Sequence, residues 1–293
     1  MRSPILSAYE RDMIRRGLAE GTRVRSLATV RKLLAHAGKR IERIRLDDLR
    51  AYLASRREEL SALSQANEVY RLRAFFRWTV EGGRATEDPT LRLLPPRGST
   101  PPQILLSEHD VTRLLEESSK PRANTDHARA VALRDRALLE VLYGLGLRGI
   151  EARRSLVADF DRATGSLLVR RAKGGQPEPL PLPRAAVPHV VHYLDLGRPL
   201  LARHGNDGRL FLTDRGLAVR YGSWVWKRVE GIGKRAGVKV HPHALRRAVA
   251  THSLRQGVSA PAIQALLGHA SLEVTQEYLE PDLQALRRAV CLE

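Results

Sequence analysis

The sequence predicts a mainly α-helical protein in which a small all-helical N-terminal domain precedes an α+β domain of helices and a small antiparallel sheet. Three observations predict this class. Apolar residues recur at helical spacing along most of the 293 residues. A proline-rich stretch at 95–102 interrupts that spacing, and from Ser166 to Ala172 the pattern becomes extended. The chain is long enough for two cores of ordinary size.

The first 94 residues have the pattern of short amphipathic helices. Apolar residues at i, i+3 and i+7 predict one helix over 27–34 and another over 46–53, with Asp47 as the expected N-cap of the second. A longer helix is predicted over 64–80, and Gly82 and Gly83 are expected to end it. Residues 1–94 are therefore predicted to form a small helical domain.

The chain carries a large positive charge. Fifty Lys and Arg against 32 Asp and Glu leave a formal net charge of +18. Such a surplus is typical of proteins that bind polyanions, of which nucleic acid is the commonest. A GC-rich genome would explain why arginine is used in preference to lysine, but not why basic residues outnumber acidic residues. Candidate phosphate contacts on the long helix are Arg71, Arg73 and Arg77, although a merely solvated basic face remains the alternative.

Composition also excludes several classes of protein. Cys291 is the only cysteine, so an intramolecular disulfide and a cysteine zinc site are excluded. The N-terminus is charged throughout, and no apolar run is long enough to span a membrane. His241 and His243 are two apart at a helix start and do not converge on one metal ion, so no metal site is predicted. We expect a soluble cytoplasmic protein without membrane contact.

The stretch PPRGSTPP at 95–102 has four prolines in eight positions, which predicts a stiffened linker. A second domain, 103–293, follows it and opens with a helix, for which Ser107 and Asp110 form a capping box. A further helix is predicted over 131–142, ending at a glycine turn.

Arg148 follows that glycine turn, and Glu151 lies three residues further on. A single arginine in such a place is usually a surface residue. Glu151 is expected to orient Arg148 or to cap its helix.

A hairpin is predicted in the middle of the second domain. Ser166 to Ala172 forms the incoming strand, Gly174 and Gly175 the turn, and a short proline-containing run over 178–182 the return strand. Because proline cannot donate to a ladder, the return strand must be very short or lie at an edge. Lys173 lies at the tip.

Near the end, a helix beginning close to His243 has one apolar face, with His243 and Arg246 three apart on another. His269 follows a glycine, and Tyr278 lies nine residues further on. This combination predicts a basic phosphate site with a tyrosine beside it. His252 falls on the apolar side and is predicted to be a core histidine.

Read together, these motifs resemble one family. The tyrosine recombinases, also called the phage integrase family, have catalytic motifs whose order matches that of five motifs here: GLGLRGIE, RRAKGG, HPHALRR, LLGH and TQEYL. Within that family, the chain resembles the Xer-like kind. Each motif alone is weak, but five in the right order are hard to obtain by accident. The aromatic FFRW helix and the opening LLSEHDVTRLL extend the resemblance over nearly the whole chain.

The resemblance implies a site-specific DNA recombinase. Residues 1–94 would be the core-DNA-binding domain, and 103–293 the catalytic domain with a C-terminal tail helix. DNA would be cleaved and rejoined through a 3′-phosphotyrosyl intermediate and a Holliday junction, without metal, ATP or other cofactor. The implied roles are nucleophile for Tyr278, general base for His243, general acid for Lys173, phosphate clamp for Arg148 and Arg246, hydrogen-bond donor for His269 and support for Glu151.

The hairpin departs from the family pattern. No Arg or Lys stands between Lys173 and Arg184, where the family often has a basic residue. Arg170 and Arg171 on the incoming strand are the candidates to replace that phosphate contact.

The resemblance also implies partners. They are double-stranded DNA, three further copies of the chain joined through the C-terminal tail, and, as an open alternative, a second recombinase or accessory protein. The protein itself would be cytoplasmic and associated with the nucleoid. A non-catalytic DNA-binding protein of the same fold and a topoisomerase-like enzyme remain competing functions.

Overall fold

The computed structural model describes residues 3–96, 103–171, 176–220 and 223–268. Its internal contacts divide the chain into two compact units, Met1–Pro102 and Gln103–Glu293. In the part of the chain so described, no helix is long and apolar enough to cross a membrane.

The first unit is helical throughout its regular structure. Its helices are α1 (Pro4–Arg15), α2 (Glu20–Ala37), α3 (Leu46–Ser55) and α4 (Ala62–Glu81), with a 3₁₀ turn at Ile41–Arg43. The longest of them, α4, starts where the Ser61 hydroxyl accepts a hydrogen bond from the Ser64 amide at 3.3 Å. Helix α3 begins at Leu46 with Arg45 as its N-cap, and Asp48 accepts from the Arg45 amide at 2.9 Å. The prediction of Asp47 as N-cap was therefore wrong.

An aromatic cluster joins the first and last helices of this unit. The Tyr9 ring on α1 lies 5.1 Å from that of Phe75 and 5.0 Å from that of Trp78, both on α4. All three side chains are buried, and aromatic pairs at such distances add to the stabilisation that burial alone supplies. The cluster therefore holds α1 against α4.

The second unit is built around one long central helix. Its helices are α5 (Glu108–Ser118), α6 (Asp126–Gly144), α7 (Gly149–Arg154), α8 (Val187–His192), α9 (Arg198–Leu201), α10 (Ser223–Ala236), α11 (Pro242–Arg255) and α12 (Ala260–Leu267), with a 3₁₀ turn at Val157–Asp159 and a π-helical turn at Tyr193–Gly197. Helix α6 packs against α5, α8, α9 and α11. The predicted capping box opens α5: the Asp110 amide donates to the Ser107 hydroxyl at 3.1 Å, and the Ser107 amide donates to the Asp110 carboxylate at 3.0 Å.

A three-stranded antiparallel sheet lies in the same unit, in the order β1 (Phe160–Asp161), β2 (Ser166–Val169) and β3 (Glu178–Pro181). In β3, Leu180 pairs with Leu167 of β2. The strand holds Pro179 and Pro181, which cannot donate to a ladder, and it lies at an edge as predicted. The predicted fold class, mainly helical with a small antiparallel sheet, is confirmed.

Candidate active site

The site is organised by the start of α11. His241 is the N-cap, and its Nδ1 accepts a hydrogen bond from the Ala244 amide at 3.0 Å. The ring of His241 also stacks on that of Trp226, at 4.7 Å and 11°. Since Nδ1 must be unprotonated to accept this hydrogen bond, the cap requires neutral His241. Pro242 at the first helical position is preorganised for the helix.

Arg246 on α11 is buried, with only 1% of its surface exposed. Its Nη1 donates to the carbonyl oxygen of Gly146 at 2.6 Å, and its Nη2 donates to that of Leu267 at 2.5 Å. The sequence pattern places Arg246 away from the apolar face of the helix, beside His243. The guanidinium is instead drawn inward because both carbonyls pair with it, and a buried charge requires such partners. Arg246 thereby joins α11 to the turn after α6 and to the end of α12.

The turn after α6 depends on a glycine. Gly146 has a φ of 59°, and a Cβ built there would lie 2.4 Å from Leu267. Only glycine tolerates both conditions. The same turn leads to Gly149, where a Cβ would lie 3.9 Å from that of Pro242. Arg148 is thus positioned beside the start of α11.

Glu151 holds Arg148. The Arg148 amide donates to Oε2 of Glu151 at 2.8 Å, and Arg148 Nη1 donates to Oε1 at 3.0 Å. The Glu151 side chain is fully buried, whereas 23% of the Arg148 side chain is exposed. One carboxylate therefore caps α7 and orients a guanidinium that solvent can reach.

The positive charges of Arg148 and Arg246 both act on His243. It is exposed at the start of α11, yet desolvation of its ring, followed by the positive charges of Arg246 and Arg148, lowers its pKa below 6.5. The ring is consequently neutral near pH 7. A neutral imidazole can accept a proton.

His252 has a structural role, as predicted. It is buried, its Nδ1 lies 2.9 Å from the hydroxyl of Tyr143, and its Nε2 lies 2.8 Å from the carbonyl oxygen of Leu106. Because a carbonyl only accepts, Nε2 donates this hydrogen bond. Across the described ranges, no group of three or more His, Cys, Asp or Glu side chains could hold a metal ion.

Three of the six predicted catalytic residues, Arg148, His243 and Arg246, belong to this cluster. Lys173, His269 and Tyr278 lie outside the described residues, as do the predicted hairpin turn, most of the linker, the tail helix and Cys291.

The predicted DNA contacts on α4 differ in their surroundings. Arg77 is exposed in a groove between α1 and α4. Arg73 donates to the carbonyl oxygen of Leu93 at 2.6 Å and so anchors the segment after the helix. Arg71 is partly buried, and desolvation followed by the charge of Arg25 lowers its pKa.

Sequence reasoning missed the basic character of that groove. Alongside Arg77 it is lined by Arg11, Arg15, Arg16 and Arg84. On α1, Arg11 and Arg15 each stand two residues from a buried residue, Tyr9 or Met13, and so lie on the opposite side of the helix; that periodicity was the available signal.

The two candidates predicted on the incoming strand lie after β2, which ends at Val169, and their environments differ. Arg170 is exposed and pairs with Asp159. Only 8% of the Arg171 side chain is exposed, and its Nη2 donates to the carbonyl oxygens of Ala265 and Leu266. Arg171 is therefore directed into the protein.

Comparison with known proteins gives two family matches that together cover most of the chain. Residues 105–284 match the phage integrase family, and residues 6–83 match the N-terminal SAM-like domain of phage integrases. Tyrosine recombinase XerD of Listeria innocua is 32% identical over 79% of this chain and 76% of its own length. Tyrosine recombinase XerC of Salmonella typhi is 36% identical over 79% of this chain and 74% of its own length.

Among solved structures, a lambda integrase tetramer bound to a Holliday junction has a similar fold. The TM-score is 0.69 at 18% identity, over 94% of this chain and 76% of that one. The helical architecture with its small sheet is thus shared at low sequence identity.

Proposed function

Since the chain belongs to the phage integrase family of tyrosine recombinases, and so cleaves and rejoins DNA at specific sites, we propose that its reaction proceeds through a covalent bond between Tyr278 and DNA. The observation that carries the proposal is the hydrogen bond from buried Arg246 to the Gly146 carbonyl oxygen. It ties the turn that leads to Arg148 to the helix that bears His243.

In the proposed step, the phenol oxygen of Tyr278 attacks the scissile phosphorus. A phenol with a pKa near 10 must lose its proton to attack at neutral pH. His243 accepts that proton, because its lowered pKa leaves the ring neutral. The products are a 3′-phosphotyrosyl ester and a free 5′-hydroxyl. The new ester retains the energy of the broken phosphodiester, so rejoining requires no ATP.

Charge develops on the non-bridging phosphate oxygens in the transition state. Arg148 and Arg246 are proposed to stabilise it, since guanidinium groups are permanently charged and match phosphate oxygens bidentately. His269 donates a further hydrogen bond. Lys173 protonates the departing 5′-oxygen, which would otherwise leave as a poor alkoxide.

DNA is the partner of this enzyme, and the first unit is proposed to bind it as a core-DNA-binding domain. The net charge of +18 supports this, as does the groove of arginines that includes Arg77. Arg71, Arg73 and Arg170 are proposed as further contacts.

The working assembly is proposed to be a tetramer. Exchange of strands between two duplexes needs four cleavages, and the similar lambda integrase forms a tetramer on a Holliday junction. The tail beyond Tyr278 carries Leu283, Leu286 and Val290 at i, i+3 and i+7, so it can form an apolar helix face that docks on a neighbouring copy.

A nicked suicide substrate tests the proposed chemistry. Wild-type protein is expected to accumulate a covalent protein–DNA adduct, and Tyr278→Phe is expected to bind the same DNA without forming one. Adducts in the Phe variant would show that another residue is the nucleophile. Relaxation of DNA without a need for two paired sites would instead indicate topoisomerase-like activity.

A further inference from the structure

We propose that Arg171 is a positioning residue for DNA cleavage, which holds the end of α12 in place instead of contacting the DNA backbone. The inference rests on the proposed function, because Arg171 lies two residues before Lys173 and α12 ends two residues before His269.

The contacts of Arg171 are almost all internal. Its Nη2 donates to the carbonyl oxygen of Leu266 at 2.8 Å and to that of Ala265 at 3.2 Å. The same nitrogen lies 3.5 Å from the carboxylate of Glu178 on β3. Only 8% of the side chain is exposed, so the guanidinium lies within the protein.

The end of α12 is held by two arginines from different elements. The last carbonyls of a helix have no partners within the helix, and positive charge there is favourable. Arg171 binds the carbonyls of Ala265 and Leu266, and Arg246 binds that of Leu267 at 2.5 Å. The last turn is thereby fixed to the segment after β2 on one side and to α11 on the other.

Gly268 allows this close approach. It caps α12 with a φ of 61°, and a Cβ built there would lie 2.7 Å from Nε of Arg171. The guanidinium consequently lies directly against the backbone that precedes His269. A side chain at 268 would displace it.

Arg171 therefore connects three parts of the proposed site. Arg171 lies two residues before Lys173 in the sequence, the helix it holds precedes His269, and that helix also receives a hydrogen bond from Arg246. Displacing a reacting group by about 1 Å can cost about a hundredfold in rate. A phosphate contact would show the opposite behaviour, because its loss weakens DNA binding and lowers the salt dependence.

The experiment compares Arg171→Ala with Arg162→Ala, which removes the same charge from an exposed residue of the same sheet region, paired with Asp195. DNA affinity is measured at two salt concentrations, and cleavage is measured in single turnover at saturating protein. We expect affinities within about twofold of each other, and cleavage by Arg171→Ala slower by about tenfold or more. Amide hydrogen exchange over 265–268 should also be faster in Arg171→Ala.

Arg171→Gln is measured in parallel, and it replaces Arg171→Ala if that variant does not fold. It retains N–H donors for the carbonyls, so its cleavage rate should lie between those of Arg171→Ala and wild type. For either variant, reduced DNA affinity with a wild-type cleavage rate at saturating protein would overturn the inference. A variant with both wild-type affinity and wild-type cleavage rate would overturn it as well.

Wild type and Tyr278→Phe are included to distinguish failure of the proposed function from failure of the proposed role of Arg171. If wild-type protein forms no adduct, the proposed function fails. If wild type forms an adduct that Tyr278→Phe lacks, and Arg171→Ala cleaves as fast as wild type, only the role of Arg171 fails.

Discussion

Arg246 reaches across the second unit to donate a hydrogen bond to the carbonyl oxygen of Gly146, at 2.6 Å and 100 residues away in the chain. The residue proposed to stabilise the transition state is therefore also part of the folded framework. This double role separates it from Arg148, whose side chain is 23% exposed and is held by Glu151.

Arg246→Lys is expected to lose both stability and activity. One ammonium cannot reproduce two directed guanidinium contacts, and an unpaired buried carbonyl costs about 1–3 kcal/mol of unfolding free energy. Loss of a transition-state donor should slow cleavage by about a hundredfold or more. Denaturant unfolding and single-turnover cleavage measure the two effects.

Arg148→Lys is the matched control, because the same substitution occurs at a more accessible position. Its cleavage should fall to a similar degree, with a stability loss below about 1 kcal/mol. Equal destabilisation by both substitutions would contradict the structural distinction between the two arginines.

The pH dependence of cleavage should report His243. Its pKa lies below 6.5, so the ring should become protonated, and the rate should decline, at a lower pH than for an ordinary histidine. The charge of Arg247 contributes to the shift. Arg247→Gln should raise the pKa and move the decline to higher pH.

The measurement is single-turnover cleavage at saturating DNA across pH 5 to 8. His243→Gln should be slow and should lack the decline. A decline that persists in His243→Gln would show that another group is the base.

His241 should make stability sensitive to acid. Desolvation, followed by the charges of His243 and Arg247, lowers its pKa below 6.5, and its Nδ1 caps α11 only when unprotonated. Because the unfolded chain then binds more protons than the folded one, stability is expected to fall as pH drops below 6.5. Thermal unfolding from pH 8 to pH 5 measures this slope.

His241→Asn should flatten the slope, since asparagine caps a helix without titrating. His241→Ala should lose about 1 kcal/mol even at pH 8, because the cap is absent. An unchanged slope in the Asn variant would mean that the acid sensitivity originates elsewhere.

Deletion of the chain from Pro281 onward should impair cooperative assembly more than binding to a single site. The segment carries the apolar residues proposed to dock on a neighbour. Gel-shift titrations on half sites and full sites measure the two affinities. Equal weakening on both substrates would count against a docking role.

Local signals predicted much of the fold. Apolar periodicity indicated the long helices, the Ser107–Asp110 box marked the start of α5, and the prolines placed β3 at an edge. Strand β1 was missed because its two residues, Phe160 and Asp161, are too few to show alternation. The hairpin itself was predicted because its strands are consecutive in the chain.

The candidate site was less predictable where contacts are distant in sequence. The spacing of His243 and Arg246 placed both on one helix, but the burial of Arg246 depends on Gly146, which no local pattern links to it. Arg171 was expected to contact DNA, because no local pattern links it to its actual partner Leu266, which is 95 residues away in the chain. The helix-capping role of His241 also requires tertiary information, since its ring is stacked on Trp226.

The central claim is that Tyr278 forms the covalent bond to DNA, and peptide mapping of the trapped adduct tests it most directly. Trypsin should release residues 256–287 as one peptide, in which Tyr278 is the only tyrosine. After nuclease digestion, mass spectrometry of this peptide should show the mass of an attached nucleotide on Tyr278. A nucleotide on any other peptide, or an unmodified 256–287 peptide from purified adduct, would contradict the assignment.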